Sequence, residues 1–237
     1  MSKPFRFKQF TIEQDRCAMK IGTDGVLLGA WAMLHKYPDS ILDIGTGTGV
    51  IALMLAQRSD AETIDALELD EDAYEQAVSN FENSDWGDRL FCYHAHLYEF
   101  ATEIEESYDL ITCNPPFFNE DQKTESEARN QARFDDSMPF ELIIGAVHKL
   151  LSHNGIFCVV LPRKREEEFA NLAEKAGLFP LKITRVKGTP DSEEKRSLMA
   201  FSFQNITPEI DELIIENSRH NYTENYIALV KDFYLKM

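Results

Sequence analysis

The fold is decided by one stretch near the first quarter of the chain, Ile41-Leu42-Asp43-Ile44-Gly45-Thr46-Gly47-Thr48-Gly49-Val50. Its first four residues have the length and apolar character of a short buried strand. Its three glycines predict a tight turn in which the backbone can approach a ligand closely. The nearly continuous apolar run at residues 50–58 predicts a helix that packs on a sheet. A strand, a glycine turn and a helix in this order form the repeating unit of parallel sheets.

The same alternation of strands and helices continues along most of the chain. Further strands are predicted at residues 63–69, 90–95, 107–113, 156–161, 181–186 and 197–203. Helices are predicted at residues 71–82, capped by Asp70, and at 140–151 and 166–175. The strand at 156–161 is the most apolar and should be central, and the last two strands should form an antiparallel pair at one edge. We therefore predict an α/β fold with a doubly wound, mostly parallel, seven-stranded sheet.

The two ends of the chain add smaller elements to this sheet. Residues 5–12 alternate apolar and polar side chains like a half-exposed strand, and residues 17–21 are predicted to pair with them as a hairpin. A helix is predicted at residues 24–35, a short helix after Thr207-Pro208, and a final helix around residues 226–234. We find no repeat or flexible linker that would mark a second domain.

Composition limits the compartment and the partners. The chain has 237 residues, 43% of them apolar, with four scattered cysteines and neither a secretory signal nor a membrane-spanning apolar run. We therefore expect a cytoplasmic protein without a membrane anchor or a bound metal. The net charge of −17 argues mildly against a nucleic-acid partner, although basic clusters occur near the N-terminus and at Arg163-Lys164-Arg165.

The glycine turn indicates which ligand the sheet binds. The dinucleotide pattern G-x-G-x-x-G fails because position 50 is Val, which leaves G-x-G-x-G with Asp43 two residues before the first glycine. An acid there can pair with a cationic amine, and Glu68, at the end of the second strand, can bind both hydroxyls of a ribose. A nucleoside that carries an amino acid, S-adenosylmethionine, fits this set. A glycine turn alone is also compatible with an ordinary connection.

A second motif, Asn114-Pro115-Pro116-Phe117, follows the strand predicted at 107–113. Two prolines end a strand and hold the preceding residue extended, so the Asn114 amide should project from the edge of the sheet. The Asn114 side-chain oxygen and the Pro115 carbonyl can accept from both N–H groups of an exocyclic amine, while Phe117 stacks on its ring. These four residues alone are equally compatible with a turn that buries a core Phe.

Together these motifs resemble the class I S-adenosylmethionine-dependent methyltransferases over nearly the whole chain. A stretch near the N-terminus more narrowly resembles the bacterial tRNA1(Val) adenine-37 N6-methyltransferases. It reads Met19-Lys20-Ile21-Gly22-Thr23-Asp24-Gly25-Val26-Leu27-Leu28-Gly29-Ala30-Trp31. The Asn114-Pro115-Pro116-Phe117-Phe118 version of the motif and the ending Lys231-Asp232-Phe233-Tyr234 also fit that family.

The resemblance implies a role for each matching residue. The implied catalytic residues are Asn114, Pro115, Pro116 and Phe117. The implied cofactor-binding residues are Thr23, Asp24, Asp43, Gly45, Gly47, Gly49, Glu68, Leu69, His96 and Leu97. Candidate RNA-binding residues are Phe118, Arg129, Arg133, Arg163 and Lys164. His96 stands where the family usually has an acid near the adenine, and a surface histidine is the alternative.

The resemblance also implies one methyltransferase domain over residues 1–237, which acts as a monomer on a transiently bound tRNA. Residues 1–38 would pack on the cofactor site, 39–205 would form the catalytic core, and 206–237 would form C-terminal helices. Residues 119–136 would be either a lid or a disordered loop. Two alternatives share the Asn-Pro-Pro corner: methylation of guanine N2 in ribosomal RNA and of a glutamine side chain in release factors.

Overall fold

A computed structural model describes residues 3–34, 37–116 and 138–237. The strands are β1 (Phe5–Arg6), β2 (Thr11–Ile12), β3 (Ser40–Ile44), β4 (Thr63–Glu68), β5 (Leu90–His94), β6 (Tyr108–Cys113), β7 (Leu151–Pro162), β8 (Phe179–Lys187), β9 (Glu194–Ser202), β10 (Glu209–Ile214), β11 (Glu216–Ser218) and β12 (Asn221–Tyr222). The helices are α1 (Thr23–Trp31), α2 (Val50–Arg58), α3 (Glu71–Glu82), α4 (Leu97–Glu103), α5 (Phe140–Leu150), α6 (Glu166–Lys175) and α7 (Glu224–Val230), with one 3-10 turn at Arg163–Arg165.

The main sheet has eight strands in the order β10-β8-β9-β7-β6-β3-β4-β5. The five strands from β7 to β5 run parallel, whereas β9 runs antiparallel to both of its neighbours. The doubly wound, mostly parallel architecture is therefore confirmed, and the apolar strand β7 lies in the interior as predicted. The predicted antiparallel pair is present as β8 and β9, but it lies one strand in from the edge of the sheet, because β10 pairs outside β8.

The eighth strand corrects the prediction for the segment after Thr207-Pro208. A short helix was expected there, but β10 pairs in parallel with β8. Lys182 on β8 forms ion pairs with Glu209, at 2.8 Å, and with Asp211, at 2.9 Å. These cross-strand pairs stabilise an extended conformation that the local sequence does not reveal. Residues 206–237, predicted to hold helices, hold β10, β11, β12 and one helix.

The N-terminal hairpin is also smaller than predicted. It lies wholly within residues 5–12, where β1 pairs with β2 through a turn closed by a hydrogen bond from Phe7 N to Phe10 O of 2.9 Å. The Phe7 ring stacks on Phe10, with ring centroids 4.6 Å apart. Residues 17–21 form a loop rather than the second strand, and α1 ends at Trp31, short of the predicted boundary. Helix α4 was not predicted.

Hydrophobic cores cover both faces of the sheet, because neighbouring residues of a strand point to opposite faces. Ile41 packs with apolar residues of α1, α2 and α3, whereas Leu42 and Ile44 pack with those of α4, α5 and α6. Polar side chains therefore collect at the carboxyl ends of the parallel strands, where such sheets bind their ligands. Within the described ranges, no helix is long and apolar enough to cross a membrane.

Candidate active site

The glycine turn between β3 and α2 adopts the conformation that its sequence predicts. Gly45, Gly47 and Gly49 have φ values of 67°, 56° and 81°, in the left-handed region that disfavours residues with a Cβ. The backbone N–H groups of Gly45 and Thr46 donate to Leu67 O at 2.8 and 3.0 Å. The turn is thus fixed to the end of β4, the neighbouring strand in the sheet.

Asp43 is fully buried beneath this turn. Its two carboxylate oxygens accept hydrogen bonds from the hydroxyl groups of Thr46, at 2.6 Å, and Thr112, at 2.8 Å. Burial raises the pKa of Asp43 from 3.8 to about 6, although both hydroxyl groups act to lower it. In this conformation Asp43 therefore holds the turn against β6. Its predicted contact with a cationic amine stays a prediction.

Glu68 lies next to the glycine turn, as the sequence predicts. One of its carboxylate oxygens accepts from Gly47 N at 2.8 Å, and the other accepts from the backbone N–H groups of Leu69 and Asp70 at 2.9 Å. Leu69 is 43% exposed beside it. Asp70 is the cap of α3 and accepts from Ala73 N at 2.8 Å, which confirms its predicted role.

The carboxyl end of β5 and the turn that follows it contain two histidines with different roles. His96 is the cap of α4, because its Nδ1 accepts from Tyr98 N at 3.1 Å. Its contact with an adenine stays a prediction, and Leu97 is buried in the core beside it. The sequence did not single out His94, whose Nε2 lies 2.9 Å from Leu69 O and whose ring stacks on Tyr74. His94 pairs opposite Glu68 across β4 and β5, and only this strand register reveals its position.

The Asn114 corner follows β6 and borders a cleft of about 550 Å³. Pro115 is buried, whereas Asn114 and Pro116 are half-buried and line the cleft. A Cβ atom at Gly25 would lie 3.9 Å from the Asn114 side-chain nitrogen and 3.3 Å from a methyl group of Val50. The start of α1 therefore packs closely against the Asn114 amide. Thr23, the first residue of α1, is exposed.

Charged residues from three segments surround this cleft. Its described lining includes five cations and three carboxylates: Lys20, Arg163, Lys164, Lys195 and Arg196, with Asp24, Glu193 and Glu194. Arg163 pairs with Glu194, and Arg196, which the sequence did not suggest, pairs with Asp24, each at 2.7 Å. The cleft is thus locally basic in a strongly acidic chain. Phe117, Phe118, Arg129 and Arg133 lie outside the described residues, as do residues 119–136.

The described residues contain no cluster of His, Cys, Asp or Glu side chains that could hold a metal ion. The parallel sheet, the glycine turn and the Asn114 corner are the parts from which class I methyltransferases are built, and sequence comparison agrees. Residues 24–178 match the family model of the methyltransferase small domain.

The relatives give a narrower family. The chain belongs to the family of proteins named tRNA1(Val) (adenine(37)-N6)-methyltransferase. It is 64% identical to the protein of that name from Christiangramia forsetii, over 100% of this chain and 99% of the relative. A relative from Bacteroides fragilis is 45% identical over the full length of both chains. One from Proteus mirabilis is 42% identical over 98% of this chain and 93% of the relative.

Solved structures support the fold alone. A predicted O-methyltransferase from Agrobacterium tumefaciens superposes with a TM-score of 0.66 at 19% identity, over 89% of this chain and 96% of that chain. A putative transferase from Pyrococcus horikoshii superposes with a TM-score of 0.60 at 15% identity, over 84% of this chain and 70% of that chain.

Proposed function

We propose that this protein transfers a methyl group from S-adenosylmethionine to N6 of adenine 37 in tRNA1(Val). The observation that carries the proposal is the position of Asn114, at the carboxyl end of β6, where its amide borders the cleft and packs against the start of α1. The full-length relatives that are 42–64% identical carry the name of this activity. Location in the cytoplasm and a monomeric state stay predictions.

The residues of the glycine turn fit the proposed cofactor. A Cβ atom at Gly47 would meet no atom within 4 Å, so open space lies directly over the turn. The Glu68 carboxylate is held beside that space by the Gly47 N–H group, where it can accept from ribose hydroxyl groups. The exposed Leu69 side chain offers an apolar surface to an adenine ring. S-adenosylmethionine would supply an electrophilic methyl group when bound there.

The Asn114 corner would orient the amine that receives the methyl group. An exocyclic amine on adenine is a poor nucleophile, because its lone pair is delocalised into the ring. The Asn114 side-chain oxygen and the Pro115 carbonyl would accept from its two N–H groups and aim the lone pair at the methyl donor. Such orientation, with loss of solvent, contributes up to ~7–11 kcal/mol to catalysis. No general base is required before the attack, since the proton can leave from the methylated, positively charged amine.

The adenine must also leave its stack to reach Asn114. Unstacking costs a few kcal/mol, and stacking on an aromatic side chain returns about 1–3 kcal/mol per base. A base in an anticodon loop is already partly exposed, which favours a tRNA as the substrate. We propose Phe117 as the stacking residue and Arg163 and Lys164, on the cleft wall, as contacts for the phosphate backbone.

Transfer of label to a defined nucleoside tests the proposal. The protein is incubated with radiolabelled S-adenosylmethionine and separate pools of unmodified tRNA, ribosomal RNA and release factor. We expect label in the tRNA pool, and N6-methyladenosine after its digestion to nucleosides. Purified tRNA1(Val) with adenine 37 replaced by guanine is the control and should take no label. Label in the ribosomal RNA as N2-methylguanosine, or in the release factor, would establish one of the alternatives instead.

A further inference from the structure

An exposed methionine stands at the rim of the cleft. Met19 is 65% exposed and lines the same cleft as Asn114 and Pro116. Among the described residues, other large apolar side chains that are strongly exposed, such as Ile210 and Leu235, do not line this cleft. Met19 belongs to residues 13–21, which we call the rim loop.

The rim loop is held firmly, so the exposure of Met19 does not come from a loose segment. The backbone N–H of Glu13 donates to the side chain of Asn80 at 2.9 Å, and that of Arg16 donates to the side chain of Gln76 at 3.1 Å. Both acceptors are buried side chains of α3. Ile21 N closes the loop with a hydrogen bond of 3.0 Å to the side chain of Gln14.

Lys20, next to Met19, keeps its charge available. Its ammonium group donates to the backbone carbonyl oxygens of Gln14 and of Cys17, the latter at 3.0 Å. These neutral acceptors fix the ammonium group without cancelling its charge. The guanidinium groups of Arg163 and Arg196 differ, because each is paired with a carboxylate of the cleft.

We infer that the rim loop is an RNA contact, in which Met19 packs on the face of the base beside the target adenine and Lys20 meets a backbone phosphate. The inference rests on the proposed function, since extrusion of the target into the cleft exposes the face of its neighbour. A flexible, polarisable thioether suits that surface, and apolar side chains of this kind act as wedges between unstacked bases. The sequence assigned Met19 no role, and it placed Lys20 only within the basic stretch near the N-terminus that could contact phosphates.

Met19→Ala tests the apolar contact, with Ile210→Ala as the matched control for loss of an exposed apolar side chain. The RNA is a tRNA1(Val) assembled from synthetic fragments, with 2-aminopurine beside adenine 37. Wild-type protein and the control should increase the 2-aminopurine fluorescence on binding. We expect Met19→Ala to give a smaller increase and to bind the RNA about 2- to 13-fold more weakly, the range typical of sulfur–aromatic contacts. Its affinity for S-adenosylmethionine should be unchanged.

Lys20→Gln tests the charge, because the glutamine amide can still donate to the carbonyl oxygens that hold the loop. The slope of log affinity against log salt concentration should become shallower by about 0.7, as expected when one phosphate contact is lost on single-stranded RNA. An unchanged slope would remove Lys20 from the contact.

Three outcomes separate the inference from its alternatives. If Met19→Ala binds the RNA and unstacks it like wild type, the inference is wrong although the proposed function stands. If Met19→Ala lowers the melting temperature of the RNA-free protein by several degrees, Met19 packs on its own chain and the inference is again wrong. If wild-type protein neither binds nor methylates the tRNA, the proposed function fails and the inference fails with it.

Discussion

The side-chain amide of Asn80 on α3 donates to the backbone carbonyl of Thr48 in the glycine turn, at 2.9 Å. The same buried amide donates to Glu13 O and accepts from Glu13 N, each at 2.9 Å. One side chain therefore joins the rim loop to the turn that carries the proposed cofactor site. The N-terminal segment and the catalytic core are fixed to each other by this contact.

Replacement of Asn80 by Ala should destabilise the protein and weaken cofactor binding together. Loss of the amide leaves backbone groups of Glu13 and Thr48 without their partner, which costs about 2–3 kcal/mol. Urea unfolding measures the loss, and calorimetry measures the affinity for S-adenosylmethionine. Asn83→Ala is the control, because Asn83 is exposed and bonds only within its own helix in the described contacts. If Asn80→Ala and Asn83→Ala are equally stable, the Asn80 side chain does not hold the rim loop to the glycine turn.

Asn114→Ala should abolish methyl transfer with little change in the affinity for S-adenosylmethionine. The Asn114 side-chain oxygen is proposed to hold the amine that receives the methyl group, whereas the glycine turn and Glu68 hold the methyl donor. Single-turnover methylation of tRNA and calorimetric titration of the cofactor give the two readouts. Turnover close to that of wild type would rule out the proposed mechanism, and a large loss of cofactor affinity would assign Asn114 to the cofactor site.

Asp43→Asn should change the pH dependence of stability. The folded protein holds the proton of Asp43 more tightly than the unfolded chain does, since burial raises its pKa from 3.8 to about 6. The contribution of Asp43 to the free energy of unfolding is therefore fully present below about pH 4 and lost as the pH rises to about 6, a span worth about 3 kcal/mol. Asn does not titrate, so the free energy of unfolding of the variant should increase relative to that of wild type as the pH rises over this range.

Urea unfolding of wild type and Asp43→Asn between pH 4.5 and 7.5 measures this difference. The exposed Asp85 provides the control variant Asp85→Asn, whose stability relative to wild type should stay nearly constant over the same range. A constant difference for Asp43→Asn as well would show that Asp43 keeps its ordinary pKa in the folded protein.

Glu166→Gln should destabilise the protein. Glu166 is buried, and its side chain accepts from Arg185, at 3.0 Å, and from Ser197. Burial alone would raise the pKa of Glu166, but Arg185 and Ser197 outweigh it and hold the pKa below its ordinary value. We expect a loss of about 1–3 kcal/mol in the free energy of unfolding at neutral pH.

The neighbouring Glu167 is exposed, and Glu167→Gln should change stability by less than about 0.5 kcal/mol. The contribution of Glu166 is present above the pKa of the unfolded carboxyl and is lost as the pH falls through its lower folded pKa. The free energies of unfolding of wild type and Glu166→Gln should therefore converge at acidic pH. A gap that persists there would mean that packing, rather than charge, accounts for the loss.

The parallel part of the fold could be predicted because its signals are local. The boundaries of α2, α3 and α6 were predicted at the residues where the structure has them, since apolar periodicity and a cap such as Asp70 mark them directly. Strand β10 was missed because its stabilising partner, Lys182, is distant in sequence. Helix α4 was missed because it is short and begins with a histidine cap rather than a common capping residue.

Site residues could be predicted where the physical requirement at a position is met by one type of residue. Glycine at positions 45, 47 and 49 is explained by positive φ, and Glu68 by its place at the end of a strand. Contacts that depend on register or on distant segments could not be predicted. His94 faces Glu68 only because β4 and β5 pair as they do, and Arg196 reaches Asp24 only because β9 inserts beside β7.

The thiols have a practical consequence for labelling. Cys113 directly precedes Asn114, yet it is fully buried, and burial raises its pKa well above the ordinary value. Burial also raises the pKa of Cys17 to about 11 and those of Cys92 and Cys158 to about 12. The thiolate is the reactive form, so all four native cysteines should react slowly with maleimides at neutral pH. A cysteine introduced at an exposed position would then take a fluorophore selectively, without removal of any native residue.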